Sequence, residues 1–312
     1  MATPATTWKS DGLLLLTAII WGTAFVAQRV GMDFVGPFTF NGVRFALGAL
    51  VLLPLIMSHK TSNGVDRSNV KPASRSVIII GGLLVGLFLF AGSSLQQMGI
   101  IYTTAGNAGF ITGLYVVIVP IMGLLFRQKT TAGTWIGAFL AASGLYLLSV
   151  TAQFTMGYGD FLVLLGAFFW AGHVLIIGWL SPKFNSFKLA FFQYAACSVL
   201  SLVTAAFYEP MSIDGIYRAA IPILYGGIMS VGIAYTLQVV AQKRAHPAHA
   251  AILLSMESVF AAIAGWFLLD EVMSLRQLGG CALMLSGMLL SQLWGLASSM
   301  RSIDEKPSSQ GR

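Results

Sequence analysis

An acidic residue inside an apolar segment, Glu257, is the strongest candidate for chemistry in this sequence, because a charge at membrane depth is costly and commonly functional. It lies ten residues after Pro247, which places it about 15 Å along a helix. Small residues share its helix face at Ala250, Ala261 and Ala264, so its carboxyl is expected to face protein or a cavity. Two interpretations stay open: a substrate or proton contact, and a neutral carboxyl that hydrogen bonds to a neighbouring helix.

Arg44 is the one cation well inside a predicted span, about 10 Å from the helix start at Pro37. If its side chain points inward, it is the natural partner of a substrate carboxylate or of Glu257. The alternative is that its stem extends outward, so that the guanidinium reaches the membrane interface. Asn41, three residues earlier on the same face, adds a second polar group.

Aromatic residues at mid-span suggest the walls of a cavity. Trp21 and Trp170 lie about ten residues into their spans, whereas membrane tryptophans are enriched at the interfaces. They are predicted either to line a central cavity or to pack between helices. Four further residues complete the candidate substrate site: Asn107, Tyr115, His173 and Gln193.

Three glutamines and a histidine are weaker candidates. A histidine on an apolar helix, such as His173, is more often an interior hydrogen-bonded residue than a proton carrier. Gln96, Gln97 and Gln238 fall near predicted helix ends, where water can satisfy them, so the prediction leaves them out of the site.

The whole chain is too apolar for a soluble protein. Its 312 residues are 56% hydrophobic and only 9% charged, with a mean hydropathy of +0.80, whereas roughly a quarter of a soluble protein is charged. A helix needs roughly 20 apolar residues to cross the hydrocarbon core. Ten such runs occur, at about 12–30, 37–57, 77–99, 104–126, 132–150, 160–180, 188–208, 217–241, 247–268 and 275–297. The sequence therefore predicts an all-α membrane protein with ten transmembrane helices.

The second half of the chain repeats the first. Matching residues recur at spacings of 149 and later 142 to 143 residues: Asp11 with Asp160, Trp21 with Trp170, Arg44 with Gln193, Gln96 with Gln238, and Gly137 with Gly280. Five spans per repeat, an odd number, require the second copy to be inverted, as in many transporters whose site lies between the repeats. The predicted units are repeats at 12–150 and 160–297, followed by a cytoplasmic, disordered tail at 298–312.

The charges are placed as in an inner-membrane protein. The formal net charge is +7, but 14 of the 18 Lys and Arg residues fall on one predicted side, which argues against nucleic-acid binding. The positive-inside rule then puts both termini in the cytoplasm. Six acidic residues fall on the outer side: Asp33, Asp160, Glu209, Asp214, Asp270 and Glu271.

Helix interruptions and small residues indicate how the helices bend and touch. Pro120, inside the fourth span, removes a hydrogen bond and predicts a kink, either as a structural bend or as a gating hinge. Small residues four apart, as at Gly82 and Gly86, predict close helix contacts. The series Gly133, Gly137 and Ala141 predicts that spans five and ten form a peripheral pair or a homodimer contact.

Enzyme motifs are weak or absent in the sequence. Gly157-Tyr158-Gly159-Asp160 matches the GxGD pattern of intramembrane aspartyl proteases, but no second aspartate lies within a span. Asp160 is better explained as a helix cap. The sequence has no HExxH, GxSxG or Walker motif, so no enzyme activity, cofactor or metal is expected.

Two stretches carry a family resemblance. Residues 256–271, Met256-Glu257-Ser258 through Gly265 to Leu269-Asp270-Glu271, followed by Ser286-Gly287, resemble the closing part of an EamA domain. The first half looks similar from Tyr102-Thr103-Thr104 through Pro120 to Ser143-Gly144. The resemblance is to the EamA family of drug/metabolite transporters. It implies two inverted five-helix repeats, alternating access, and spans five and ten apart from the cavity.

The expected function is secondary transport of a small organic metabolite across the inner membrane, with an amino acid or related zwitterion as the first candidate. Protons are a candidate coupling partner through Glu257. One alternative is a multidrug or cation exporter with an aromatic cavity. Another is a membrane scaffold or receptor, which needs no water-accessible polar cavity.

Overall fold

The protein folds as an all-α bundle. The structure is a computed structural model that describes residues 4–61, 75–126, 132–149, 156–245 and 247–304. The described residues form fourteen α-helices: α1 (Pro4–Gly31), α2 (Pro37–Thr61), α3 (Arg75–Gly99), α4 (Ala105–Gly113), α5 (Tyr115–Gly123), α6 (Ala132–Ser149), α7 (Tyr158–Leu180), α8 (Ser186–Tyr208), α9 (Ile213–Arg218), α10 (Ala220–Leu224), α11 (Thr236–Gln242), α12 (Pro247–Ser255), α13 (Glu257–Leu269) and α14 (Leu275–Asp304). A π-helical segment, Tyr225–Tyr235, joins α10 to α11.

Seven stretches of helix in the described residues are long and apolar enough to cross a membrane. They are Trp8–Gly31, Pro37–Met57, Ile79–Gly99, Ala105–Gly123, Tyr158–Lys183, Ser186–Tyr208 and Ala220–Gln242. The other three predicted spans correspond to shorter apolar helices at Trp135–Leu148, Leu253–Leu269 and Leu275–Leu290. The all-α membrane fold is therefore confirmed, whereas the count of ten spans stays a prediction.

The fourth and ninth predicted spans are each interrupted by one tight turn. Between α4 and α5 the amide of Leu114 donates to the Ile111 carbonyl at 3.2 Å, an i to i−3 bond. Between α12 and α13 the amide of Met256 donates to the Leu253 carbonyl at 3.3 Å. The fourth span was predicted to kink at Pro120, but Pro120 lies inside α5 and the interruption falls at Leu114. The two breaks lie 142 residues apart, the spacing of the repeat.

Glycines let several helix pairs approach closely. A methyl group at Gly86 would lie 3.0 Å from the backbone oxygen of Gln193, so α3 packs almost directly on α8. The predicted close contact through Gly82 and Gly86 is confirmed, because both positions meet α8. Likewise α6 and α14 pack on each other along their length, with a methyl at Gly287 only 2.6 Å from the Gly137 oxygen. A homodimer contact at that pair stays a prediction.

One end of the bundle carries carboxylates that bind helix starts, and we call it the acidic face. It is defined by the same six residues that the charge pattern groups together: Asp33, Asp160, Glu209, Asp214, Asp270 and Glu271. Glu209, at the end of α8, accepts hydrogen bonds from the amides of Phe38 and Thr39 at 2.7 Å each. Glu271 accepts from the amides of Ala105 and Gly106 at 2.7 and 3.0 Å. Two carboxylates from the second half of the chain thus cap the free backbone amides at the starts of α2 and α4.

Two predicted features differ from the structure or lie outside the described part. The tail was predicted to be disordered from residue 298, but α14 continues to Asp304. Residues 305–312, and residues 62–74 of the predicted cytoplasmic loop at 58–76, lie outside the described residues.

Candidate functional site

A narrow cavity lies inside the bundle. Its volume is about 30 Å³, which is room for one or two water molecules. The residues that line it come from both halves of the chain: Trp21, Phe25, Gln28, Arg44, Gln96, Thr112, Tyr115, Trp170, His173, Val174, Ser230, Tyr235, Gln238 and Glu257. A metabolite fits only if the walls of the cavity move apart.

Most of the cavity wall is built from residues that match between the two halves. At a spacing of 149 residues, Trp21 corresponds to Trp170 and Phe25 to Val174; at 142 residues, Gln96 corresponds to Gln238 and Tyr115 to Glu257. All eight of these residues line the same cavity. The cavity therefore lies where equivalent positions of the two halves meet.

The guanidinium of Arg44 reaches this cavity from α2. Arg44 is only 2% exposed, so the outward orientation that the sequence left open is wrong. Its Nε donates to Asn41 Oδ1 at 3.0 Å, and its Cζ lies 5.4 and 5.0 Å from the ring centres of Phe40 and Phe45. Guanidinium groups stay charged in proteins. The Arg44 guanidinium is therefore a cation held out of contact with solvent in the cavity wall.

Glu257 lies opposite its repeat partner, Tyr115. Each is the first residue after a helix break, and both are at most 3% exposed. The Tyr115 hydroxyl is adjacent to the Glu257 carboxyl but has no hydrogen bond of good geometry within the described residues. The one ion pair in the described part of the chain joins Arg29 to Asp33 at the surface. Arg44 and Glu257 thus line the same cavity without forming an ion pair with each other.

A glutamine network, which the sequence interpretation left out, stiffens one wall. Gln96 Oε1 accepts hydrogen bonds from Trp170 Nε1 at 2.9 Å and from the Thr112 hydroxyl at 3.4 Å, while Gln96 Nε2 donates to Gln28 Oε1 at 2.9 Å. The prediction that water satisfies these glutamines near helix ends was wrong, since Gln96 and Gln238 are at most 5% exposed. Their match across the repeats was the signal that could have identified them.

Gln238 differs from Gln96 because its amide is not fully used. Its side-chain oxygen is buried and has no hydrogen-bond partner within the described residues. It lines the cavity, so it offers an acceptor that a substrate could satisfy. An unmet buried acceptor costs free energy until a donor arrives.

Aromatic rings that cluster on Tyr235 form the remaining wall of the cavity. The ring centres of Trp21 and Trp170 lie 4.4 and 6.1 Å from that of Tyr235, and His173 lies 6.1 Å away. The Trp21 indole donates to the Ser230 carbonyl at 3.3 Å. Tyr235 and Ser230 belong to the π-helical segment, which the sequence did not predict. The cavity therefore combines aromatic surface with a guanidinium, a carboxyl and the unmet side-chain oxygen of Gln238.

The structure brings together most, but not all, of the predicted site residues. Trp21, Arg44, Tyr115, Trp170, His173 and Glu257 line the cavity. Asn41 and Gln193 stand behind it, bonded to Arg44 and to His173 Nε2 (2.8 Å) respectively. Asn107 differs from them: it lies in the first turn of α4, where its backbone amide donates to the Thr104 hydroxyl, and it does not line the cavity.

The alanine face next to Glu257 is buried against other helices, as the prediction that this face points toward protein or a cavity allows. Ala261 packs against Gly109 of α4 and Gly22 of α1, which brings α13 close to both helices. Ala250, Ala261 and Ala264 are buried between helices and do not line the cavity. The small residues therefore serve close packing.

The arrangement can bind and enclose a small polar molecule. Within the described residues no group of three or more His, Cys, Asp or Glu side chains could hold a metal ion. An all-α bundle of apolar helices around a buried polar cavity is typical of membrane transporters. The chain belongs to the EamA-like transporter family, whose model matches residues 8–150 and 157–293.

Relatives and a solved structure agree with this membership. An uncharacterized transporter of Archaeoglobus fulgidus is 31% identical over 281 residues, covering 90% of this chain and 84% of the relative. YoaV of Bacillus subtilis, also an uncharacterized transporter, is 21% identical, covering 90% and 95%. YedA of Escherichia coli, an uncharacterized inner membrane transporter, is 26% identical over 51% of this chain and 50% of its own. One solved structure with 18% identity has a TM-score of 0.68, covers 91% of this chain and 98% of its own, and shows the fold alone.

Proposed function

We propose that this protein is a secondary transporter that carries an amino acid or related small zwitterion by alternating access across the inner membrane. The single observation that carries the proposal is that a guanidinium and a carboxyl, from Arg44 and Glu257, line the same cavity. Arg44 and Glu257 both line it, both are almost fully buried, and neither forms an ion pair within the described residues.

The Arg44 guanidinium and the Glu257 carboxyl suit the two ends of a zwitterion. A guanidinium binds a carboxylate through two parallel hydrogen bonds, and within the described residues Arg44 hydrogen bonds through its Nε alone, to Asn41. At the other end, an ammonium group has three donors. Glu257 and the unpaired oxygen of Gln238 supply acceptors for them. The substrate would thus satisfy groups that the protein leaves unmet.

The repeat symmetry of the cavity supports alternating access. Matched residues of the two halves line the same cavity, so the site could open toward either side through equivalent movements of the two halves. The charges break this symmetry, because Arg44 corresponds to Gln193 and Glu257 to Tyr115. The residues that match between the repeats would enclose the substrate. Arg44 and Glu257, which have no charged equivalent in the other repeat, would fix the orientation of the substrate in the cavity.

The proposed architecture has ten spans in two inverted repeats, with both termini in the cytoplasm. The acidic face supports the inversion, because the end of α8 meets the start of α2 there and matching spans would run in opposite directions. The name of the Escherichia coli relative supports the inner membrane. A cysteine at Ser212 should react with impermeant reagents from outside the cell. Reaction from the cytoplasmic side alone would reverse the topology.

A cation or multidrug exporter is the second candidate, favoured by the aromatic wall of Trp21, Trp170 and Tyr235 beside a carboxyl. Aromatic faces attract cations. The two functions differ at Arg44, which a zwitterion needs and a cation does not.

The test measures uptake into proteoliposomes of two probes, a mixture of radiolabelled amino acids and tetraphenylphosphonium. Wild type should take up components of the amino-acid mixture, and Arg44→Gln should lose at least about tenfold of that uptake. Arg29→Gln is the matched control, since Arg29 forms an exposed ion pair with Asp33. Uptake of tetraphenylphosphonium alone, unchanged in Arg44→Gln, would favour the cation exporter and contradict the first proposal.

A further inference from the structure

A second concave region lies outside the central cavity, on the other side of α1. It is a groove of about 440 Å³, roofed by no other helix and open at the side of the bundle. Four residues of α1 form its floor, Thr23, Val26, Ala27 and Val30. Ile221 of α10 and Leu268 of α13 line its sides. The groove is thus a crevice between helices from both halves of the chain.

The groove and the central cavity occupy opposite faces of one helix. Trp21, Phe25 and Gln28 of α1 line the cavity. At about 100° per residue, this face lies about 180° from the face that lines the groove. A single helix thickness therefore separates the two spaces.

The groove is apolar along its length and polar at its two ends. Its deep end is closed by a hydrogen bond between the hydroxyls of Thr23 and Tyr225. Its other end, seven residues or about 10 Å along α1, opens at the acidic face. There the Arg218 guanidinium lies 5.0 Å from the ring centre of Phe34.

Arg218 carries a charge that the described part of the chain does not neutralise. Asp214 lies one turn earlier in α9, at the spacing of a helical ion pair, yet the one ion pair among the described residues is Arg29 with Asp33. Arg218 is exposed and lies at the end of the apolar groove that opens at the acidic face. A guanidinium in this position matches a phosphate, which it binds bidentately.

We propose that the groove is a binding site for one glycerophospholipid, with an acyl chain along α1 and the phosphate on Arg218. A convex helix surface meets lipid over one side only, whereas this crevice contacts an acyl chain from its floor on α1 and from its sides on α10 and α13. The bound chain rests against the back of the helix that carries Trp21. The site is distinct from the proposed transport site and does not depend on its substrate.

The test is native mass spectrometry of the full-length protein in mild detergent, titrated with phosphatidylglycerol and, in a parallel arm, with diacylglycerol. Wild type should bind the first phosphatidylglycerol about tenfold more tightly than Arg218→Gln does. Diacylglycerol, which lacks the phosphate, should bind both proteins equally. Leu268→Trp, which fills the groove, should weaken both lipids. Inorganic phosphate at millimolar concentration should not displace the phospholipid.

Arg276→Gln is the matched control, because Arg276 also lies at the acidic face over an aromatic ring, Tyr146 at 5.8 Å, but away from the groove. It should bind like wild type. Equal phosphatidylglycerol affinity in wild type, Arg218→Gln and Leu268→Trp would mean adventitious surface lipid only and would overturn the proposal. Loss in Leu268→Trp without loss in Arg218→Gln would also overturn it, since the phosphate contact would then be absent.

Discussion

Removing the Glu271 carboxylate should loosen the acidic face measurably. Glu271 accepts two backbone hydrogen bonds, from Ala105 at 2.7 Å and Gly106 at 3.0 Å, and Ala105 is fully buried. A hydrogen bond to a charged group contributes about 1.5–3 kcal/mol, and the carboxylate also interacts favourably with the positive end of α4. Because Glu271 is partly exposed, the lower value applies to each of the two hydrogen bonds, which gives about 3 kcal/mol for Glu271→Ala.

The assay is thermal unfolding in detergent, followed by intrinsic tryptophan fluorescence. Glu271→Ala should lower the apparent Tm by more than about 5 °C, whereas Glu271→Gln, which keeps a neutral acceptor, should lose about half as much. Asp270→Asn is the matched control: it removes the neighbouring charge, and asparagine tolerates the left-handed backbone there (φ 53°). An apparent Tm for Glu271→Ala within 1 °C of the control would refute the reasoning that this carboxylate closes α4.

Three further predictions concern the helices around the cavity. Gly22→Ala should lower the apparent Tm, because its methyl would lie 2.7 Å from the Glu257 carbonyl oxygen and cost about 1–3 kcal/mol; Gly12→Ala on the same helix, with nothing within 4 Å, should not, and equal effects would contradict the close contact. Trp170→Phe should weaken substrate binding about tenfold by removing the 2.9 Å bond to Gln96, while the exposed Trp179→Phe should bind like wild type; unchanged binding in both would make Trp170 a packing residue only. Glu257→Gln should still exchange substrate in proteoliposomes but lose accumulation driven by a pH gradient, because an amide cannot carry a proton; full accumulation would remove the coupling role.

The sequence predicted much of the fold because apolar length and repetition are local properties. Span positions follow from hydrophobic runs, and the match of Trp21 with Trp170 correctly indicated a shared cavity. The helix interruption at Leu114 could not be read in this way, since no proline or glycine pair marks it and Pro120 drew attention instead. The π-helical segment that carries Tyr235 likewise has no sequence signal.

The site itself was harder to predict than the fold. Depth along a helix identifies Arg44 and Glu257, but it does not show toward which neighbour a side chain points. Asn107 is therefore predicted in the site, although it lies in the first turn of α4, outside the cavity wall. The prediction leaves Gln96 and Gln238 out of the site because water usually reaches the ends of helices. Their burial depends on contacts with α1 and α7, as in the bonds from Gln96 to Gln28 and Trp170, which no local pattern reveals.

Crossed substrate analogues test most directly whether Arg44 and Glu257 bind the two ends of one zwitterion. The measurement is the affinity of wild type, Arg44→Gln and Glu257→Gln for a transported amino acid, its methyl ester and its des-amino acid. Wild type should bind both analogues at least about tenfold more weakly than the amino acid. Arg44→Gln should no longer distinguish the ester, and Glu257→Gln should no longer distinguish the des-amino acid. Discrimination as strong as wild type in both folded variants would contradict the proposed site.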